Sequence, residues 1–256
     1  MGRLLFSLFL VFCCAASASA QQPVLGLDHL PVVVKDLARA KQDFMKLGFV
    51  LKPGRPHDNG LRNEHVKFAD GTEIELITPA EAGTGVSDAL SSHYVDWLRE
   101  GDGAVSLGLF RPGKAPAPPP GVFFAGRQKS PTDLPEHFDH PNGAVTLSGV
   151  WLAGSPVEQK LSNLPGAKVV QAPFCAPFGF GSKVVRWKAG ELFLLPQSQQ
   201  IVPGRPIVAA TVTVRSLAAV QGVFAATRTK ARPVPGCARN SLWVETHGLW
   251  LEFLEP

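Results

Sequence analysis

Between Gly26 and Pro79 the apolar and polar positions alternate in blocks that specify a β-α-β-β-β unit. Leu27 to Val34 is an apolar, β-branched run, the pattern of a buried strand. Asp36 follows as an N-cap, and Leu37, Ala40, Phe44 and Leu47 then recur at helical spacing until Gly48 stops the helix. Phe49 to Lys52, Glu64 to Phe68 and Glu73 to Ile77 read as three further strands, the last two joined by a tight Asp70-Gly71 turn.

The same order returns along the chain. From Pro206 to Pro256 it reads as a strand at Ile207 to Val214, a Ser216 cap, a helix carrying Leu217, Val220 and Phe224, and strands near Ser241 to Glu245 and Leu249 to Leu254. A third copy spans Ala144 to Pro196: strand Val145 to Leu152, a capping box with proline at Ser155-Pro156-Val157-Glu158, a stop at Pro165-Gly166, and strands at Lys183 to Lys188 and Leu192 to Leu195. Ala104 to Phe110 and Gly121 to Ala125 also look like strands, but Arg111 to Pro120 is too rich in proline for a helix between them. The expected fold is therefore α+β, with three clear βαβββ units and one eroded unit, divided into an N-terminal half at 26–135 and a C-terminal half at 136–256.

Two stretches match residue by residue. Arg55, Pro56, Arg62, Asn63, Gly71, Glu75 and Pro79 correspond to Arg232, Pro233, Arg239, Asn240, Gly248, Glu252 and Pro256, 177 positions later. A carboxylate at the same place in two copies makes Glu75 and Glu252 the first candidates for chemistry.

The N-terminus changes the expected compartment. Met1-Gly2-Arg3, the apolar run Leu4 to Cys14 and the small residues Ala18 and Ala20 form a secretory signal at 1–20, so export to a periplasm or the exterior is expected. That run is too short for a comfortable membrane span. Cys175 and Cys237 remain after cleavage in a compartment where disulfides persist, as a bridge or as two thiols. The net charge is +4 and the basic residues are scattered, which excludes a nucleic-acid surface of the usual kind and by itself names no partner. A small-molecule ligand or substrate, with the chain a monomer or homodimer, is the expectation.

Leu27-Asp28-His29-Leu30, Leu47-Gly48-Phe49 and Gly71-Thr72-Glu73-Ile74-Glu75-Leu76-Ile77 together resemble the first module of the vicinal oxygen chelate superfamily. His57 followed by Arg62-Asn63, with His140-Pro141-Asn142-Gly143-Ala144, is similar to its glyoxalase-like branch. The resemblance implies paired modules forming a cup around a divalent metal, Zn, Mn, Fe or Ni, held by residues on the first and last strands. It carries over to His29, Glu75 and Glu252 as ligands, while Ala209 stands opposite His29 in the last unit and cannot bind a metal. The implied activity is a metal-dependent lyase, isomerase or dioxygenase acting on vicinal oxygens, with Glu252 as general base. Metal-free sequestration of a small molecule in the same cup, with no cofactor, is the alternative.

The residues themselves keep both readings open. His29 interrupts an apolar strand, which sets it apart from the other histidines. Glu252 lies on a strand apolar on both faces, so it needs a metal or an ion pair with Arg239 or Arg232. His57, Arg62 and Asn63 around the rim, with His140 and Asn142, are the candidate substrate contacts. Phe174, Phe178 and Phe180 lie in a proline-broken loop that either lines a pocket or plugs the core. Gly179-Phe180-Gly181-Ser182 lacks the spacing of a serine nucleophile elbow.

Overall fold

The computed structural model describes residues 22–55, 57–80, 88–113, 117–127, 130–154 and 156–256. The expected signal segment, Pro56 of the repeat and Ser155 of the capping box lie outside these residues. Among the described residues no helix is long and apolar enough to cross a membrane.

The chain is a mixed α+β fold in which each unit pairs its first strand, parallel, with its last. In the first unit β1 (Gly26–Leu27) leads into β2 (His29–Val33), followed by α1 (Leu37–Lys46), β3 (Lys52–Pro53), β4 (Arg62–Lys67) and β5 (Glu73–Thr78). β2 runs parallel to β5, as a βαβββ connection requires. Helix α1 begins because Asp36 accepts a hydrogen bond from the Arg39 amide, and it buries Ala40 and Phe44. Gly48, at φ 83°, lets the chain leave the helix where a side chain would be strained.

A helix that the apolar pattern does not announce follows, α2 (Ala89–Trp97), capped by Asp88. Its Tyr94, with Leu98, packs on Val33, Leu61 and Ile77, closing one end of the first sheet. β6 (Gly103–Ala104), β7 (Leu107–Phe110) and β8 (Val122–Ala125) form the eroded unit. It keeps the parallel first-to-last pairing, β7 with β8, and among its described residues no helix joins them.

β9 (Ala144–Ala153), α3 (Glu158–Ser162), β10 (Lys168–Ala176), β11 (Gly179–Arg186) and β12 (Glu191–Leu195) make the third unit. β13 (Ile207–Val214), α4 (Leu217–Thr227), β14 (Ser241–Thr246) and β15 (Leu249–Leu254) make the last. Their strands join in one seven-stranded sheet ordered β10-β11-β12-β9-β13-β15-β14, with antiparallel β9 and β13 at the seam. β3-β4-β5-β2-β6 form a second sheet and β1-β7-β8 a third. In the last unit the strand after the helix shrinks to a single bridge, Arg232 to Trp243. Cys175 and Cys237 are disulfide-bonded, tying the end of β10 to the segment before β14.

Candidate functional site: two cups, one open and one filled

Alternation along β2, β4 and β5 gathers one set of polar side chains on the open face of the first sheet. His29 on β2 stands across from Glu73, and Glu75 stands across from His65, so the histidines and carboxylates interleave over adjacent strands. Lys52 extends the row from β3, opposite His65. These residues line a cavity of about 740 Å³ with Arg55, His57, Asn63, Lys67 and the segment from Ser130 to Thr132.

Each polar group at the floor has a defined orientation. His29 donates from Nδ1 to Asp28 Oδ1 at 2.7 Å, which turns Nε2 toward Glu75 Oε2, 3.8 Å away. Asn63 Nδ2 donates to the other oxygen of Glu75 at 2.6 Å and so fixes that carboxylate. Burial works against a charged His29, but the Asp28 hydrogen bond and the charges of Glu73 and Glu75 outweigh it, and its pKa is raised. Burial likewise favours a protonated Glu73, yet His65, His29 and Lys67 draw it down to about 2. His65 Nδ1 lies 3.5 Å from Glu73 and has no hydrogen-bond partner among the described residues.

The second cup, built on β9, β13, β14 and β15, is filled. Trp151 stacks on Phe193 at 4.2 Å between ring centres and meets Trp243 edge-on at 5.2 Å, with Phe174 and Phe178 against the same indole. The segment expected as a proline-broken loop is the β10–β11 hairpin: Phe174 on β10 and Phe178 at its turn plug the core, while Phe180 on β11 is exposed. Glu252, fully buried at the base of this cluster, takes two hydrogen bonds from Arg239, at 2.8 and 2.7 Å, and one from Thr211 at 2.7 Å. Trp151 Nε1 donates in turn to Thr211 Oγ1 at 2.8 Å. Ala209, opposite Trp250, belongs to the same apolar cluster.

Residues 27–117 match the family model of the glyoxalase-like domain. A variant of 4-hydroxymandelate synthase from Streptomyces coelicolor superposes with a TM-score of 0.61 at 13% identity, over 91% of this chain and 93% of that one. The chain has a glyoxalase-like domain and the fold of the vicinal oxygen chelate superfamily. A variant of homoprotocatechuate 2,3-dioxygenase from B. fuscum gives 0.58 at 11% identity, over 92% of this chain and 72% of that one. A xylose isomerase-like TIM barrel/4-hydroxyphenylpyruvate dioxygenase fusion protein gives 0.57 at 12% identity over 92% of this chain, which spans only 49% of that longer protein. A sequence search of curated proteins found no match.

The vicinal oxygen chelate fold brings His29, Glu75, His57 and Asn63 to one cavity and leaves the other candidates outside it. Glu252 does not join His29 and Glu75; it sits in the other sheet, saturated by Arg239 and Thr211, which corrects its expected place as ligand and base. Arg62 opens β4 as an exposed residue and does not line the cavity. His140 is buried between β-unit segments, accepting from the Val50 amide at Nδ1 and donating from Nε2 to the Lys67 carbonyl; burial keeps its pKa low, as that neutral tautomer requires. Asn142, fully buried, bridges the Leu47 carbonyl and the Ala144 amide. Both staple the chain and are not placed to touch substrate.

A three-residue metal centre does not fit these side chains. Among the described residues no three His, Cys, Asp or Glu side chains gather as a metal site. His29 and Glu75 approach each other, but among its described residues the eroded unit faces His29 with the ring of Phe123, 4.5 Å from the imidazole, and the bare backbone of Gly108. A Cβ at Gly108 would lie 2.8 Å from the His29 carbonyl oxygen, so β7 closes on β2 through that glycine.

Asp28, Lys52, His65 and Lys67 also belong to the floor or its support, and sequence reasoning did not single them out. The signal was present. Asn63, His65 and Lys67 alternate with Val66 and Glu64 along β4, as Glu73 and Glu75 alternate with Ile74 and Leu76 along β5.

Proposed function

We propose that this protein is a small-molecule enzyme whose N-terminal cup moves a proton next to a carbonyl, with Glu75 as base and His29 as acid. The observation that carries the reading is the 3.8 Å approach of His29 Nε2 to Glu75 Oε2 at the floor of an open polar cavity. Asp28 holds the imidazole by Nδ1 and favours its charged form, so Nε2–H is a donor toward the cavity. Asn63 occupies one oxygen of Glu75 and leaves the other to take a proton from a substrate carbon. His29 then protonates the adjoining carbonyl oxygen, which gives an enediol when the deprotonated carbon bears a hydroxyl group; His29 takes the proton of that hydroxyl and Glu75 returns its own to the former carbonyl carbon, which completes an isomerisation. The structures similar to this chain include a synthase and a dioxygenase; among the described residues a divalent metal would have His29 and Glu75 to hold it, too few for a metal centre. Export by way of the N-terminal signal remains part of the proposal, because the apolar leader is a property of the sequence.

The test is protein-dependent exchange of carbon-bound hydrogen in D2O, followed by NMR across short 2-hydroxy and 2-oxo compounds in chelator-treated buffer. Exchange is expected to survive chelation and to vanish in His29→Gln and in Glu75→Gln. Loss of exchange on chelation, or its persistence in either variant, would overturn the reading.

A further inference from the structure

The wall of the cup opposite His29 carries two lysines, Lys52 buried and Lys67 half-buried. Lys52 has a side chain 9% exposed, and among the described residues its ammonium group meets one partner, Asp133 Oδ1 at 2.7 Å. An ammonium group carries three N–H donors, so two remain for something in the cavity that Lys52 lines. Lys67 lies 3.2 Å from Glu73 and 3.4 Å from the second oxygen of the same Asp133, so one aspartate is shared between two lysines. Burying an ammonium group with incomplete pairing is costly, and an anion entering the cavity relieves that cost. Arg55 adds a further positive charge at the rim.

A second unsatisfied group stands beside the first. Asn63 is 8% exposed and its Oδ1, the end not engaged with Glu75, is buried with no hydrogen-bond partner among the described residues. Gly54 makes room for that oxygen: a Cβ there would come within 1.7 Å of it. Oδ1 is an acceptor, so what it lacks is a donor, such as a hydroxyl group. Lys52 and Glu75 are two strands apart, about 10 Å between backbones at ordinary strand spacing, which suits a short molecule.

We propose that the ligand of this cup is a short carboxylic acid bearing a hydroxyl group, its carboxylate on Lys52 and Lys67 and its hydroxyl on Asn63 Oδ1. This assignment rests on the N-terminal cup being the working site, but not on the acid–base roles of His29 and Glu75. Lactate and its uncharged amide, lactamide, separate the two questions in a calorimetric or NMR binding titration of the full chain. The wild-type protein is expected to bind lactate at least about tenfold more tightly than lactamide, a difference of about 1.4 kcal/mol. Lys52→Gln should reduce the preference several-fold, because Lys67 remains, and Lys52→Arg should restore part of it, which separates loss of the charge contact from loss of folding. Equal affinity of the wild-type protein for acid and amide, a preference undiminished in Lys52→Gln, or no binding of either compound overturns the assignment. Glu75→Gln should keep the preference for lactate; a preference without carbon–hydrogen exchange would leave the carboxylate site standing and remove the acid–base reading.

Discussion

Replacing Arg239 with methionine should cost about 4 kcal/mol of stability at pH 7 and only about 1 kcal/mol at pH 5. Glu252 is fully buried and loses two charge-assisted hydrogen bonds in this variant, keeping only the Thr211 hydroxyl. A carboxylate left alone among Trp151, Phe193 and Trp243 can remain charged, at a penalty of several kcal/mol, or take up a proton. The proton route sets the ceiling. An ordinary glutamate lies about 2.7 pH units below pH 7, and about 1.36 kcal/mol per pH unit gives roughly 3.7 kcal/mol, falling to roughly 1 kcal/mol at pH 5. Methionine preserves the packing that Arg239 makes over the Phe193 ring, 4.8 Å from its centre, so the charge term dominates. Equilibrium urea unfolding at the two pH values reads the difference, and adding Glu252→Gln to Arg239→Met should recover most of the loss and remove its pH dependence. A loss below about 1 kcal/mol at pH 7, or one of equal size at both pH values, would refute the reasoning.

Two other outcomes follow from the open cup. Glu73, held at about 2 with a side chain only 16% exposed, contributes stability that is fully present above its unfolded value near 4.5 and is lost as pH falls through about 2. The contribution is about 3 kcal/mol, so the urea midpoint of Glu73→Gln should vary less between pH 5 and pH 2 than that of the parent; parallel profiles would assign the acid sensitivity elsewhere. For His29 the sign is opposite: its raised pKa stabilises the fold below the unfolded value of 6.5, and that stability is lost as pH rises through the folded value. Asp28→Asn removes the largest favourable contribution, so a histidine NMR titration should show the His29 pKa fall; an unchanged value would mean that Glu73 and Glu75 alone hold the proton.

The units were legible because parallel strands buried on both faces must be apolar along their length, as Leu30 to Val34 and Ile207 to Val214 are. β10 escaped that logic: Pro173 lies where its register with β11 shifts, between Gln171 and Phe174, and its exposed half carries polar residues. α2 escaped because it buries only Ser91 and Tyr94 of its own residues, too few for a periodic stripe. In the site, His29 stood out as a polar interruption of an apolar strand, and Glu75 through its match with Glu252 in the repeat. The neutral roles of His140 and Asn142 were not, since a buried side chain that satisfies backbone groups looks the same in sequence as one that meets a ligand.

The divergence of the two glutamates has a geometric cause within the repeat itself. First and last strands keep their registration: Pro31 faces Glu75 as Thr211 faces Glu252, each 180 positions apart on one side and 177 on the other. The third strand does not. Glu75 is opposite His65, whose counterpart by sequence is Leu242, yet Glu252 is opposite Trp243. A slip of one residue sends alternate side chains to opposite faces. Asn63 therefore reaches Glu75 while Arg62 stays exposed, whereas in the last unit Arg239 turns inward to Glu252. The same slip replaces His65 with Trp243 on the cup side, adding a bulky ring to the space that stays open in the first unit. One shift in strand registration thus both pairs the second carboxylate with Arg239 and fills its cup, while the first cup stays open and polar.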